Sequence, residues 1–587
     1  MSDPQLLLAA RVQAALAAAF GPEYAGADPV IRPSQFADLQ SNAALPLAKR
    51  LQAERGEKQN PRAVAQEIVD HLDVADLVAN VEISGPGFIN LTLDDAWIAA
   101  EAQRALADDR LGVPAAEHPQ RVVVEYSSPN VAKEMHVGHL RTTIVGDAIA
   151  RILAFLGHDV IRDNHLGDWG TPFGMLIEHL LDVGVEAAAR DDSSVSDLTA
   201  FYQAARAKFD GDPAFADRAR ARVVSLQAGD AETLRYWQIL VDVSKRYFNT
   251  VYRRLGVTLT DDDIKGESFY NDALAPTVRE LEDKGIAVVS DGALCAFPPG
   301  FTGREGDPLP VIIRKSDGGY NYSTTDLATI RYRVDTERVD RMVYVVGSAQ
   351  ALHFQMVFAV ARMAGWLGDD IRAEHAQIGN VLGTDGKILR TRAGGTVKLA
   401  ELLDEAVQRA GAAYDETEHD PSFDAATRAD IVEKVGIGAV KYADLSVARD
   451  SEYTFDFDRM ISFKGNTGPY LQYAAVRIRS IFRRGGVDPD SATGPIAVGH
   501  PAERALALRL LGFGAALEQA GEKAEPHRLA NYVFDLAQDY TAFFESCPVL
   551  KAPDDATRRS RLALCAATLR TLVTGLNLLG VPTPERM

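Results

Sequence analysis

Three hydrophobic patterns succeed one another along the chain. The first stretch mixes helical and alternating periods. An amphipathic helix opens it (PQLLLAARVQAALAAAF), a second helix can start at Ser41-Asn42, and Val81–Leu93 alternates like a strand pair around Gly85-Pro86-Gly87. From Arg121 the pattern changes to short unbroken β-branched runs. Val122-Val123-Val124 suits a strand buried on both faces, and Pro129, which has no N–H for a ladder, ends the extended stretch. From Gly138 to Leu156 apolar residues return at helical spacing through Leu140, Ile144, Ala148, Ile152 and Phe155. Gly157 fits the stop after that helix, and Asp159–Arg162 reads as the next strand. Such a strand–loop–helix–strand unit is of the doubly wound kind, with ligands at the ends of its strands.

Residues 183 to about 300 interrupt this unit. They read as helices over Leu198–Phe209 and Phe215–Arg254, then as strands around Ile264–Phe269 and Ala287–Phe297. Strand signals resume at Val311–Arg314 and Met342–Val346. From about residue 400 the period is helical: Leu399–Ala412, Ala426–Ser446, Tyr470–Arg484, Ala502–Glu518, His527–Ser546 and Ser560–Leu579 predict a bundle of about six helices. The expected fold class is α/β. A small N-terminal α/β domain spans residues 1–112, a Rossmann-like domain spans 113–400, and an all-α helical bundle spans 401–587.

Composition narrows the class. With 47% hydrophobic and 25% charged residues, the chain reads as an ordinary soluble protein. Three scattered cysteines give neither a disulfide framework nor a metal-binding pair, so a reducing cytoplasm fits. The N-terminal helix has no basic leader, and no apolar run is long enough for a membrane span. A formal charge of −20 argues against a nonspecific nucleic-acid binder but leaves room for a local basic patch.

Four stretches carry candidate chemistry. In the first, His136 and His139 flank Gly138 at a helix start after a strand. Free N–H groups and partial positive charge there suit a phosphate, and neutral imidazoles can donate hydrogen bonds to its oxygens. Gly138 leaves room for a flat base or sugar against the backbone. On four residues alone, H-x-x-H is as readily a capping pair. In the second, Tyr322 and Asp326 stand one helical turn apart, so a phenol and a carboxylate can grip a guanidinium; a helix cap by Thr325 or Asp326 is the alternative. The third is the Gly-rich loop Gly383–Gly395, which holds Lys387, Arg390 and Arg392 and can close on departing pyrophosphate; by itself it also reads as a solvated basic turn. It is not a Walker A loop. In the fourth, Arg477, Arg479, Arg483 and Arg484 interleave with Ile478, Ile481 and Phe482 as a basic ridge, a footprint for phosphates or a salt-bridged helix face.

The phrase S-S-P-N-x-x-K-x-M-H-V-G-H-L-R-T-T resembles the HIGH signature of class I aminoacyl-tRNA synthetases, in the form arginyl-tRNA synthetases carry. D-x-Q-S-N-A-A (from Asp38), G-D-W-G-T (from Gly167), the segment Ser316–Asp326, L-R-T-R at residues 389–392 in place of K-M-S-K-S, and the run Asn531–Leu550 are similar to that family in the same order. The resemblance implies ATP-dependent activation of L-arginine to an adenylate and transfer to the terminal ribose of tRNA(Arg), with Mg²⁺ accompanying ATP and no protein metal site. It assigns catalysis to His136, His139, Lys133, Arg390 and Arg392. It assigns ATP binding also to Gly138, Lys387, Leu389 and Thr391. Arginine falls to Glu125, Ser127, Asn130, His139, Tyr322, Asp326 and Gln350, and tRNA to Asn42, Asn466, Tyr470, Gln472, Tyr473, Arg477 and Met587. Lys133 stands in for the missing second lysine of the loop. The implied protein is a cytoplasmic monomer with no membrane partner. Adenylation of another amino acid or of a small carboxylate, or tRNA binding without catalysis, are the competing classes; Glu125 and Asp326 argue for a cationic substrate, and the intact histidine pair argues against the non-catalytic class.

Overall fold

The computed structural model describes residues 3–184, 196–390, 396–416 and 423–587. Its centre is a parallel sheet of four strands in the order Arg372–His375, Arg341–Tyr344, Arg121–Glu125, Asp159–Asp163. Chain order therefore reverses between the Arg121–Glu125 and Arg341–Tyr344 strands, where a doubly wound sheet opens a ligand crevice at its carboxyl edge. Val122, Val123 and Val124 are all fully buried, as their apolar run requires. The helix Val137–Phe155 follows, and Gly157, at φ +95°, accepts the left-handed turn that ends it.

An antiparallel sheet in the order Ile31–Pro33, Leu39–Ser41, Phe88–Leu93, Val78–Ser84 forms the N-terminal unit with helices Pro4–Phe20, Ala44–Arg55, Pro61–Asp70 and Asp95–Ala107. The C-terminal part is helical, with Leu399–Asp415 laid against Ala425–Leu445 and then Gly468–Gly485, His527–Ser546 and Asp555–Leu578. Gly436 allows that first pair to approach closely: a Cβ there would stand 2.8 Å from Val407 Cα.

The structure departs from the expected elements at several places. The single helix expected over Phe215–Arg254 is two, Pro213–Gln227 and Ala231–Leu255, parted at Gly229 (φ +76°) and capped anew by Asp230. The segment Ile264–Phe269 is not a strand; Glu267–Tyr270 coils as a 3₁₀ turn. Val311–Arg314 joins the antiparallel hairpin Ala287–Ser290/Ala293–Ala296 rather than the central sheet. Ala502–Glu518 is broken at Gly512 into Pro501–Leu511 and Phe513–Glu522.

Arg141 ties the histidine-bearing helix to the bundle. Its Nε donates to Asp444 Oδ1 at 3.0 Å, and Nη1 donates to the carbonyls of Gly379 (2.9 Å) and Ser451 (2.7 Å). Arg141 and Asp444 are both buried. Removing one partner of such a pair leaves an unpaired buried charge at a cost of about 3–5 kcal/mol. Arg141→Met is therefore expected to lower the urea unfolding midpoint sharply, and an unchanged midpoint contradicts the anchoring role.

Candidate active site

The segment between the first central strand and its helix is held in an unusual backbone path. Ser127 (φ +71°), Ser128 (φ +47°) and Ala132 (φ +59°) all occupy the left-handed region that side chains other than glycine rarely adopt. Side chains of the long insertion helix hold it there. Tyr252 OH lies 2.7 Å from Ser127 Oγ, Ser244 Oγ accepts from Ala132 N–H at 2.9 Å, and Tyr247 OH accepts from Met135 N–H at 3.0 Å. The insertion thus braces the loop that leads into the histidines. Ser127, expected at the substrate, is buried with its hydroxyl engaged by Thr143 and Tyr252.

The two histidines cap their own helix. His136 Nδ1 accepts the Gly138 N–H at 3.1 Å, and His139 Nδ1 accepts the His136 N–H at 3.1 Å. An imidazole whose Nδ1 accepts carries its proton on Nε2, so each ring keeps one N–H donor for a ligand. The ring centres are 4.0 Å apart. Burial pushes both rings below the usual histidine range, His139 to about 3, and the charge of Lys133 adds to the shift. The pair is neutral at physiological pH. Gly138 serves this arrangement directly: a Cβ would come within 2.8 Å of His136 Cε1, so the space expected for a ligand holds an imidazole. Lys133 is exposed, and its Nζ lies 4.5 Å from the ring centre of Tyr202 in the insertion.

The Gly-rich loop returns to this turn. Leu382 and Ile388 bridge as a hairpin, with Lys387, Leu389 and Arg390 after Gly386 (φ +74°). Lys387 and Arg390 are exposed. Thr391 and Arg392 lie outside the described residues. Beyond them Val397 O accepts the Val137 N–H and Met135 O accepts the Leu399 N–H, each at 2.9 Å, so the far end of the loop is hydrogen-bonded to the histidine turn itself. Lys398 pairs with the buried Glu134 at 2.8 Å.

A second candidate pocket is acidic. Helix Tyr322–Asp335 is capped by Asn321 and not by Thr325 or Asp326, which leaves the Asp326 carboxylate free of that duty. Tyr322 is 61% exposed. Asp326 Oδ2 lies 2.6 Å from His353 Nε2, and the His353 ring meets the Tyr322 ring edge-on at 4.9 Å. Gln350 and Asn130 are exposed at neighbouring strand ends. Glu125 is buried, and Arg333 donates to its Oε2 at 2.6 Å and reaches Asp163 Oδ2 at 3.0 Å. Burial pushes the Glu125 carboxyl up, against the pull of Arg333 and His165. Among the described residues, Glu125, Asp163 and His165 are the one group spaced to hold a metal ion, and the Arg333 guanidinium already supplies a cation to both carboxylates.

One further acid belongs to this pocket and was absent from the expectations. Glu267 lies in the 3₁₀ turn that had been expected as strand. Burial pushes its carboxyl up to about 7, with Asp168 and Asp326 repelling its charge and His165 opposing them. The G-D-W-G loop fixes that turn. Asp168 Oδ1 accepts the Ser268 N–H at 2.8 Å, Oδ2 accepts the Ser268 hydroxyl at 2.7 Å, and Trp237 Nε1 donates to Asp168 O at 2.6 Å. The signal was Gly266, whose missing Cβ makes room for Asp168 at 2.5 Å.

The residues expected to touch tRNA divide. Tyr473 is exposed, and the Arg477 guanidinium lies 4.9 Å from its ring centre and 5.1 Å from that of Phe544. Asn466 is exposed and accepts from Tyr442 OH. Tyr470 is half-buried against Phe534 and Thr541, and Met587 packs on the Ala410–Tyr414 cluster. Gln472 is fully buried: its amide donates to Lys434 O and Pro582 O, so it fastens the tail and does not face solvent. Arg479 and Arg483 of the basic ridge likewise donate to Pro584 O and Glu585 O. Asn42 is half-buried beside the N-terminal sheet, behind a strongly exposed Phe36.

Comparison with known proteins agrees with this geometry. The family model described as "tRNA synthetases class I (R), catalytic domain" matches residues 101–457. The "Arginyl tRNA synthetase N terminal domain" matches 7–93, and the "DALR anticodon binding domain" matches 471–587. An arginine–tRNA ligase of Thermobifida fusca is 65% identical over 587 residues, covering all of both chains. One of Frankia casuarinae is 54% identical over 575 residues, 96% of each chain. Among solved structures, the arginyl-tRNA synthetase of Plasmodium falciparum superposes with a TM-score of 0.82 at 27% identity over 99% of each chain. That of Thermus thermophilus gives 0.81 at 26% over 100% of each. A parallel core with a self-capped histidine pair, full-length identity to curated ligases and matches to all three domain families place this chain among the arginyl-tRNA synthetases, the class I arginine–tRNA ligases.

Proposed function

We propose that the two Nε2–H donors of the neutral histidine pair hold the phosphates of ATP while Asp326, Tyr322 and Glu267 hold the guanidinium of arginine. The reaction is the charging of tRNA(Arg) with arginine. In its first step a carboxylate oxygen of arginine attacks the α-phosphorus, the bond to the β-phosphate oxygen breaks, and pyrophosphate leaves. In the second, the terminal ribose hydroxyl of the tRNA attacks the activated carbonyl and AMP leaves. Neither step needs a covalent enzyme intermediate, so the chain contributes position and charge. Neutral donors strengthen their bonds as negative charge grows on the phosphate oxygens. Lys133, Lys387 and Arg390 supply cations for the departing pyrophosphate, with Arg392 and Thr391 on the same loop. Gly138 keeps the His136 ring in place, and Leu389 lies on the adenosine side.

The α-ammonium and carboxylate of arginine meet Asn130, Gln350 and the Ser127 segment, with Glu125 beneath them. Mg²⁺ enters with ATP, held by phosphate oxygens and water, which is how this ion usually binds nucleotides. Three functional units carry the work: residues 1–112 on the tRNA corner through Asn42, 113–400 on chemistry, and 401–587 on the anticodon stem through Asn466, Tyr470, Tyr473, Arg477 and Met587. Gln472 acts from inside the bundle. The enzyme works as a cytoplasmic monomer. The observation that carries the reading is the self-capped histidine pair, both rings neutral and both Nε2–H groups unused by the helix.

Loss of one such donor costs about 10²–10³-fold in rate. His136→Ala is expected to lower arginine-dependent ATP–pyrophosphate exchange by that order while tRNA affinity holds. Gly138→Ala is expected to do the same through the displaced ring. Full exchange by His136→Ala would remove the histidines from catalysis. The pH dependence follows from Glu267. Its carboxyl titrates at about 7, and the ionised form attracts the guanidinium. Arginine binding is thus strongest above that pH and weakens as pH falls through it. The KM for arginine should rise toward pH 6 in the native chain. In Glu267→Gln it should stand about tenfold higher at pH 8, the lower bound for a lost charge-assisted hydrogen bond, and vary little with pH. A Glu267→Gln enzyme with the native profile would exclude this carboxylate from the grip.

A further inference from the structure

His353 lies on the helix Ala351–Met363, opposite the helix that carries Tyr322 and Asp326, and touches both of those residues. Its Nε2 stands 2.6 Å from Asp326 Oδ2, and its ring is 4.9 Å from that of Tyr322 at 65°. The contact is largely shielded: His353 is 17% exposed and Asp326 21%. The ring centre of Phe354 is 5.4 Å from the imidazole centre. The ring therefore has little freedom to leave.

We propose that His353 is a positioning residue for arginine selection: it fixes the plane of the Asp326 carboxylate and the tilt of the Tyr322 phenol, and so presents a planar acceptor to a planar guanidinium. This inference rests on the reading of Asp326 and Tyr322 as the guanidinium grip. The physical reason lies in the substrate. A guanidinium binds a carboxylate through a fork of coplanar N–H donors, and misalignment weakens both bonds together. An unrestrained aspartate on the first turns of a helix can rotate about its terminal torsion, which has only a broad preference. A single hydrogen bond to Oδ2 removes that rotation. A carboxylate offers about four acceptor sites over its two oxygens, so Oδ2 can hold His353 and still share in binding the substrate. A lysine ammonium is a point charge and asks for no plane, so a fixed plane favours arginine over lysine.

Two variants of the full-length enzyme test this, with arginine, ATP and tRNA(Arg) as substrates. His353→Phe keeps the packing on Tyr322 and Phe354 without a donor. His353→Gln places an amide N–H near the position of Nε2. His353→Phe is expected to raise the KM for arginine about tenfold, with kcat and the KM for ATP changed by less than threefold. His353→Gln is expected to recover most of the loss. Arginine KM unchanged in His353→Phe overturns the inference, as does a loss in kcat or ATP KM of equal size. Failure of the glutamine to recover any of a selective KM loss also overturns it, because the hydrogen bond would then not be the cause. Asp326→Asn is measured alongside. If that variant binds arginine normally, the guanidinium grip itself is wrong; if it loses arginine while His353→Phe does not, the grip stands and only the positioning role falls.

Discussion

The histidine turn depends on one hydrogen-bond exchange. A helix start leaves backbone N–H groups without partners, and a side chain normally supplies an oxygen to satisfy them. Here imidazole nitrogens do so, His136 for Gly138 and His139 for His136. Local structure and chemistry are thereby fixed together. The cap sets the tautomer, the tautomer aims the donors, and burial keeps the rings uncharged. Glycine at 138 follows from the same exchange, since a side chain there would push the first ring off its N–H. The loop that returns through Val397 and Leu399 is bonded to the backbone on either side of His136. The turn and the base of the basic loop are one piece of structure.

The acidic cluster is a problem of excess negative charge. Glu125, Asp163, Glu267 and Asp326 crowd one end of the sheet, and burial raises the cost of every unbalanced charge. Arg333 answers part of this from within, spanning Glu125 and Asp163. Glu267 has no cation of its own among the contacts described and sits near neutrality as a result. A ligand that brings a cation relieves this strain, and relief of that kind is binding energy. The same argument explains why the deeper acids are poor candidates for a metal: their counterion is built into the chain.

Much of this was legible in the sequence where a single local rule decides the outcome. The triple valine suited a doubly buried strand, and the histidine pair followed it at a helix start. The strand Arg372–His375 was missed because it is an edge strand built of charged residues: Arg372 and Glu374 face ion pairs with Glu522 and Arg341, and no apolar alternation marks it. Val311–Arg314 was recognised as a strand but not for its sheet, since pairing partners are set by tertiary contacts that a four-residue run does not encode. Glu267 escaped because its role comes from Asp168, about a hundred residues earlier, clamping its turn. Gln472 was assigned to tRNA by resemblance, and the ridge arginines read as a phosphate footprint or a salt-bridged helix face. Only the tail returning over that helix shows that their hydrogen bonds are used internally.

The helix that starts at the histidines is also bonded to the helical bundle. Two turns past His139 it is already interior, with Ile144, Ala148 and Ile152 buried. Arg141 couples its first turn to Asp444 and to three carbonyls that lie beyond the central sheet. Asp147 and the buried Lys441 continue the seam: Asp147 receives Arg151 and Thr258, and Lys441 donates to Leu255 at the end of the insertion helix. Burial pulls the Lys441 ammonium down to about 8, and Asp147 resists that shift. Charges so placed have no water to substitute for a lost partner, so each bond is costly to break and the seam is stiff.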